Sequence, residues 1–317
     1  MYVLYAQDKT MLAKRSTLFE QRMEPLLQVL EMAHNDGTIP ASLPEISRYL
    51  DVCRWPFRKL EYSFVLDVLL NHLQPGNRYL DAGCGVTPLA HTIAMRGIQV
   101  DACDGDERQI TELQRLRPER IYGSNVRYLT QDLTKLTYQS ETFDAISCVS
   151  VLEHIPSPLD QEAIKELLRV LKPGGVLVVS VDFTPPAPHI IQRNKLAYYL
   201  QRATQLARKG DMHELKAGLA RKLHAQQVVA HGDARVARSA NQCFEISHLE
   251  QDILPLFKGQ EISSNLPFSS DLRSVTPTDA RHFWELEHDL YNNQGQRAVL
   301  PVAFIVQKSV LAMSVVA

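Results

Sequence analysis

The stretch from residue 78 to residue 106 constrains the fold of this chain more than any other. It begins Arg-Tyr-Leu-Asp-Ala-Gly-Cys-Gly-Val-Thr-Pro-Leu-Ala and ends, one predicted helix later, Val-Asp-Ala-Cys-Asp-Gly-Asp. The apolar pattern predicts a buried strand ending near Leu80, a tight turn over residues 81–85, a helix over residues 86–96 and a second strand over residues 98–103. This order is typical of two parallel strands joined by a crossover helix, the unit of an α/β sheet.

Two features of this stretch indicate a bound nucleoside. Gly83 and Gly85 let the backbone come close to a ligand, and Asp104 closes the second strand about 20 residues later, where ribose hydroxyls are usually held. A dinucleotide site also needs a third glycine, but Pro88 stands there. Asp81 is a poor neighbour for a pyrophosphate and a good one for a cationic amino acid. A crossover turn without a ligand is the remaining alternative.

The segment Leu-Asp-Ala-Gly-Cys-Gly resembles the first motif of the class I S-adenosylmethionine-dependent methyltransferases. Later motifs of that family follow in order, so that the resemblance covers about residues 60 to 183. They are Gln131-Asp132-Leu133 after a third strand (125–130), Phe143-Asp144-Ala145-Ile146 entering a fourth, Leu152-Glu153-His154-Ile155 after it, and Leu171-Lys172-Pro173-Gly174-Gly175, a helix stop and turn, before a fifth strand (175–181).

The resemblance implies a Rossmann-like α/β fold with a seven-stranded, mostly parallel sheet and helices on both faces. It also implies S-adenosylmethionine as the cofactor, which carries an ammonium group, a sulfonium and a ribose but no phosphate. By position it assigns Asp81, Gly83, Cys84 and Gly85 to the methionine end, Asp104 to the ribose, Gly105, Asp106, Asp132 and Leu133 to the adenine, and Val149 to the floor beside the sulfonium.

The segment after the fourth strand bears on the acceptor. It reads Val-Ser-Val-Leu-Glu-His and lacks the Pro-Pro-Tyr or Pro-Cys signatures of enzymes that methylate nucleobases, so base methylation is not expected. His154 is the candidate catalytic residue, because a neutral imidazole can take a hydroxyl proton near neutral pH. The alternative is that His154 only orders the loop, and the sequence leaves both roles open.

Residues 1–77 are predicted to form a helical cap over the mouth of the site. The apolar spacing predicts one helix between residues 11 and 32, a short helix capped by Ser42, and another from about residue 57 to residue 73. Four residues stand where such a cap could touch a ligand, although we interpret them as helix surface and core. They are Trp55, Arg58, Glu61 and Tyr62.

After the core of residues 78–183, residues 184–245 are predicted to be a basic helical insertion, or lid, suited to an anionic acceptor; a solvated helical hairpin is the alternative. Between residues 189 and 230 its basic residues are Arg193, Lys195, Arg202, Arg208, Lys209, Lys216, Arg221 and Lys222. Residues 246–317 would complete the sheet with a helix (246–256), a sixth strand (259–266), a helix (278–290) and an antiparallel seventh strand (299–306).

Composition narrows the function further. The chain has 317 residues and a net charge of -2, which gives no global bias toward nucleic acid, and no apolar run is long enough for a membrane span. Five widely spaced cysteines indicate free thiols in a reducing, cytoplasmic compartment, and no metal site is predicted. We expect a methyltransferase acting on oxygen or nitrogen of a small molecule, with a nicotinamide-dependent oxidoreductase or a catalytically silent binding module as alternatives. The oligomeric state is open.

Overall fold

The structure, a computed structural model, describes residues 2–3, 16–39, 50, 52–54, 56–184, 244–245, 248–261 and 300–310. The strands are β1 (Tyr2–Val3), β2 (Arg78–Ala82), β3 (Gln99–Asp104), β4 (Val126–Thr130), β5 (Phe143–Val149), β6 (Leu171–Thr184), β7 (Phe244–Glu245) and β8 (Leu300–Gln307). The α-helices are α1 (Thr17–Arg22), α2 (Glu24–Asn35), α3 (Pro56–His72), α4 (Leu89–Ala94), α5 (Glu107–Leu116), α6 (Pro118–Tyr122) and α7 (Leu159–Val170). Shorter helical turns cover Leu152–His154, Leu249–Ile253 and Leu254–Phe257.

These strands form one mixed sheet in the order β1-β8-β6-β5-β2-β3-β4, with β7 pairing with β6. Strands β2 to β6 pair in parallel, whereas β8 runs antiparallel to β6 and β1 runs antiparallel to β8. The predicted Rossmann-like, mostly parallel sheet and its antiparallel last strand are therefore confirmed. The count of seven is not confirmed: eight strands are described, and the predicted sixth strand is described only to Glu261, which bridges to Gln307.

Apolar side chains cover both faces of the sheet. One layer packs α1 to α5 against the sheet through residues such as Leu27, Leu69 and Ile93. The other packs α7 and the turns near residue 253 through Leu167 and Phe257. Strands covered on both faces read as continuous apolar runs, which is why the core strands were predictable from their sequence.

Two helix boundaries differ from the prediction. The single helix predicted between residues 11 and 32 is divided at Met23 into α1 and α2, and Pro25 lies in the first turn of α2. Proline has no backbone N–H and its ring clashes with the preceding turn, so it belongs at a helix start. The helix predicted over residues 86–96 is shorter, because the glycine turn extends to Pro88.

The stop and turn predicted at residues 172–175 belongs instead to strand β6. Helix α7 ends at Val170 and the strand begins at once with Leu171, which pairs with Phe143. The glycines are used inside the strand, where Gly174 has a φ of +78° and the pairing with β5 shifts register after Phe143. Glycine in a strand commonly marks such a bulge.

Several predictions lie outside the described residues. They are the short helix at Ser42, Trp55, most of the insertion at 184–245, and the helix at 278–290. Among the helices that the structure describes, none combines the length and apolar character of a membrane span. The described cysteines, at positions 53, 84, 103 and 148, are buried free thiols.

Candidate functional site

The candidate site lies at the carboxyl ends of β2 and β5, where the strand order of the sheet reverses. Open α/β sheets bind their ligands at this switch point. Gly83 has a φ of +77°, and its backbone N–H donates to the carbonyl of Cys103 at 2.8 Å. A β-carbon there would lie 2.3 Å from a methyl carbon of Val151, so the turn packs tightly against the segment after β5. Only glycine fits both the backbone and the space.

The carboxylate of Asp104 is fixed at the end of β3 by two backbone N–H groups. Its Oδ2 accepts from Gly85 at 3.1 Å, and its Oδ1 accepts from Asp106 at 2.9 Å. Burial raises the pKa of Asp104, and these hydrogen bonds oppose the rise. Each carboxylate oxygen can accept more than one hydrogen bond, so Asp104 can also bind a pair of ligand hydroxyls.

Asp81 is a buried acid with an unused oxygen. The side chain is 2% exposed; Oδ1 accepts from the Ser147 hydroxyl at 3.0 Å, and Ser147 is hydrogen bonded to the Tyr79 hydroxyl at 2.5 Å. Oδ2 has no hydrogen-bond partner among the described residues. Burial raises the pKa of Asp81 to about 7, although the Ser147 hydrogen bond lowers it. A buried acceptor of this kind fits a cationic group, such as the ammonium of an amino acid.

The residues assigned to the adenine side shape the turns that follow β3 and β4. Asp106 caps helix α5 through the N–H of Arg108 at 3.0 Å and pairs with its guanidinium at 2.8 Å; the side-chain bond to Arg108 lowers the pKa of Asp106. Asp132 is exposed, and its Oδ1 accepts from the N–H and hydroxyl of Thr134. Leu133 is buried. A β-carbon built on Gly105 would lie 3.9 Å from the carbonyl oxygen of Gln131, so the two turns are neighbours.

The remaining predicted residues lie around the end of β5. Val149 is partly buried at the last position of that strand, and Cys84 is buried in the glycine turn, where burial raises the thiol pKa. His154 ends the helical turn Leu152–His154 with its side chain exposed. The structure therefore brings the glycine turn, Asp81, Asp104 and Val149 to one edge of the sheet, with His154 on the segment that leaves it.

A polar cluster of three residues lies at this edge. The sequence placed Arg58 and Glu61 where a cap could touch a ligand but did not single out Ser150. The Arg58 guanidinium donates through Nη1 to Glu61 Oε2 at 2.6 Å and also contacts the Ser150 hydroxyl. Glu61 is fully buried, and its Oε1 accepts from Ser150 at 3.0 Å. Ser150, with a φ of +51°, follows Val149 directly. The available signal was a charged pair at i,i+3 on a helix flanked by apolar residues, which we had interpreted as helix surface and core.

Comparison with known proteins identifies the central part of the chain. Residues 80–179 match the family model described as a methyltransferase domain. A ubiquinone biosynthesis O-methyltransferase from Coxiella burnetii is 34% identical over 123 residues, which cover 39% of this chain and 47% of the relative. The enzyme of the same name from Xanthomonas campestris is 37% identical over 116 residues, covering 36% and 46%. The chain thus spans about half the length of the curated relatives it matches.

Among solved structures, magnesium protoporphyrin IX methyltransferase from Synechocystis, with bound S-adenosylhomocysteine, aligns with a TM-score of 0.44 at 18% identity over 78% of this chain and 82% of that one. The family match covers the glycine turn, Asp104 and the segment after β5, which carry the site. The match at residues 80–179 and the mostly parallel sheet agree with the motif order of the sequence. Residues 80–179 of this chain therefore carry a methyltransferase domain, similar to those of the class I S-adenosylmethionine-dependent methyltransferases.

Proposed function

We propose that this protein binds S-adenosylmethionine at the carboxyl edge of β2, β3 and β5 and methylates an oxygen or nitrogen of a small molecule. The observation that carries the proposal is the Asp104 carboxylate, held by the backbone of Gly85 and Asp106. It presents acceptor oxygens beside a glycine turn at the switch point of the sheet, where two ribose hydroxyls require them.

The residues at the site match the groups of this cofactor. The unpartnered Oδ2 of Asp81 suits the ammonium, and the tight glycine turn at Gly83 suits a close approach of the backbone. Arg58, on helix α3, contacts Ser150 directly after β5, and its guanidinium suits the carboxylate of the same amino acid. The turns after β3 and β4 would border the adenine through Gly105, Asp106, Asp132 and Leu133, and Val149 would lie beside the sulfonium.

The cofactor supplies an electrophilic methyl group on a positively charged sulfur. The work of the protein is then largely to position the reacting atoms and to exclude water. Asp104, on β3, fixes the ribose end of the cofactor. Asp81, on β2, and Arg58, on α3, fix its amino-acid end. The sulfur, which lies between the two ends, is thereby positioned. His154, on the segment after β5, has two candidate roles, which are holding the proton of an acceptor hydroxyl and ordering the loop.

The acceptor class is proposed from two observations. The matched curated relatives are O-methyltransferases, which favours an oxygen acceptor. The basic segment at residues 184–245 favours an anionic or sugar-containing acceptor. Changing Arg193 and Lys195 together to Glu should raise the acceptor KM and remove its salt dependence, while cofactor affinity stays the same. An unchanged KM would show that these charges do not contact the acceptor.

The activity is tested by supplying the protein with S-adenosylmethionine carrying a labelled methyl group and a panel of anionic phenols, carboxylates, sugars and amines. We expect label to appear in a product with the stoichiometry of S-adenosylhomocysteine formed. S-adenosylhomocysteine binding without transfer to any acceptor would favour the silent binding module. NADH binding tighter than S-adenosylhomocysteine would favour the oxidoreductase.

A further inference from the structure

The cluster of Arg58, Glu61 and Ser150 connects the cap helix α3 to the first residue after β5. Both carboxylate oxygens of Glu61 are used in it: Oε2 accepts from Arg58 at 2.6 Å and Oε1 accepts from the Ser150 hydroxyl at 3.0 Å. Arg58 and Ser150 also contact each other, so the three side chains close a triangle. Ser150 is 89 positions from Glu61 in the sequence and 92 positions from Arg58, so the contacts join distant parts of the chain.

Glu61 is an unusual residue for a buried position. Its side chain is 0% exposed and that of Arg58 is 15% exposed, so the acid is deeper than its partner. Ionised carboxylates are costly to bury and are kept where paired and hydrogen bonded. The triangle meets that requirement, and it places the guanidinium at the switch point instead of in solvent.

A guanidinium has five N–H donors in a planar fork, so a single arginine can hold two carboxylates at once. Glu61 takes its hydrogen bond through Nη1. A long arginine side chain without such a partner would sample many rotamers and would have to be ordered when a ligand binds. A buried carboxylate one turn along the same helix removes that freedom in advance.

We propose that Glu61 is a positioning residue for cofactor binding: it holds the Arg58 guanidinium against Ser150, where Arg58 receives the carboxylate of the amino-acid end of the cofactor. This inference rests on the proposed function and deepens it. Glu61 acts only through Arg58 and does not touch the cofactor. Its effect is therefore confined to ligands that carry the amino acid.

The test compares two ligands by calorimetry on the 317-residue chain. S-adenosylhomocysteine has the amino-acid end, whereas 5′-methylthioadenosine has the thioether, ribose and adenine without it. Glu61→Gln keeps the size of the side chain and removes its charge. We expect it to weaken S-adenosylhomocysteine by roughly tenfold or more and to change methylthioadenosine by less than about twofold.

A double-mutant cycle tests whether Glu61 acts through Arg58. In an Arg58→Gln background, the further change Glu61→Gln should weaken S-adenosylhomocysteine no more, because the group being positioned is gone. The matched control is Glu166→Gln on α7, which removes a second Arg–Glu pair at i,i+3 among the described residues, formed with Arg169 at 2.7 Å. It should leave both affinities unchanged.

Ser150→Gly removes the hydroxyl that contacts Arg58 and Glu61, and glycine tolerates the left-handed backbone at this position. This variant therefore replaces Glu61→Gln as the test if Glu61→Gln does not fold. It should weaken S-adenosylhomocysteine selectively. The inference is overturned if Glu61→Gln binds S-adenosylhomocysteine like the wild type, or weakens both ligands equally, as a general loss of structure would. A wild-type protein that binds neither ligand overturns the proposed function itself, and this inference with it.

Discussion

Gly83 and Val151 are in such close contact that a β-carbon on the glycine would lie 2.3 Å from one valine methyl carbon and 2.7 Å from the other. The contact joins the turn after β2 to the segment after β5. It fixes the two strand ends that form the candidate site relative to each other. Any side chain at position 83 must push these segments apart.

Gly83→Ala is therefore expected to be far more damaging than an alanine at another left-handed glycine. Gly76 is the matched control, since its φ is +89° and nothing lies within 4 Å of its β-carbon position. The backbone cost of about 1–2 kcal/mol applies to both variants. Gly83→Ala should lose an additional ~1–3 kcal/mol from overpacking, measured by urea unfolding. Equal losses in the two variants would contradict the close packing.

The pKa of Asp81 predicts opposite effects of pH on stability and on binding. Burial raises this pKa from 3.8 to about 7, so the native protein holds a proton that the unfolded chain releases. Asp81 therefore lowers the free energy of unfolding as pH rises through that window. The cofactor ammonium favours the ionised carboxylate, so affinity for S-adenosylhomocysteine should rise over the same range.

Asp81→Asn separates the two effects, because the amide does not titrate. The melting temperature of the variant minus that of the wild type should increase steadily from pH near 4 to pH near 8. The corresponding difference in the free energy of unfolding is about 1.4 kcal/mol per unit of pKa shift. Its affinity for S-adenosylhomocysteine should be weaker and independent of pH across this window. A wild type and variant with parallel pH profiles would show that Asp81 is ionised throughout.

His154 ends the helical turn Leu152–His154, and we expect it to order that loop instead of acting as the general base. We expect His154→Ala to lower kcat by less than about tenfold and to keep the inflection of the pH–rate profile, since transfer to a positioned acceptor needs little more than proximity. General-base catalysis predicts a different result, a fall of roughly 10²–10⁴-fold in kcat and loss of the inflection near the imidazole pKa. Steady-state kinetics across pH distinguish the two.

The sequence predicted the parts of this molecule that depend on local patterns. The glycine turn, Asp104 and the core strands follow from apolar runs and residue spacing, and the mostly parallel sheet follows from the resemblance to the family. Pro25 could also have revealed the division between α1 and α2, because its effect on a helix is local.

The contacts that the sequence did not predict join distant parts of the chain. Arg58 reaches Ser150 across 92 residues, and no spacing rule connects a cap helix to a strand end. From the sequence, Glu61 is expected on the helix surface, because acids are rarely buried. It is buried in the structure because Arg58 and Ser150 donate hydrogen bonds to its two carboxylate oxygens. Strand β6 begins at Leu171 because Leu171 pairs with Phe143. The glycines that follow are typical of a helix end, so the local sequence does not indicate a strand there.

We propose that Asp104 binds the ribose of S-adenosylmethionine. Calorimetric titration of S-adenosylhomocysteine into the wild type and Asp104→Ala tests it most directly. Charge-assisted hydrogen bonds are worth about 1.5–3 kcal/mol each, so the variant should bind at least tenfold more weakly. Asp101→Ala is the control, because Asp101 lies on the same strand and pairs with Arg127 Nε at 2.8 Å. We expect the control to bind like the wild type and Asp104→Ala to lose affinity; equal affinity in Asp104→Ala and the wild type would contradict the account.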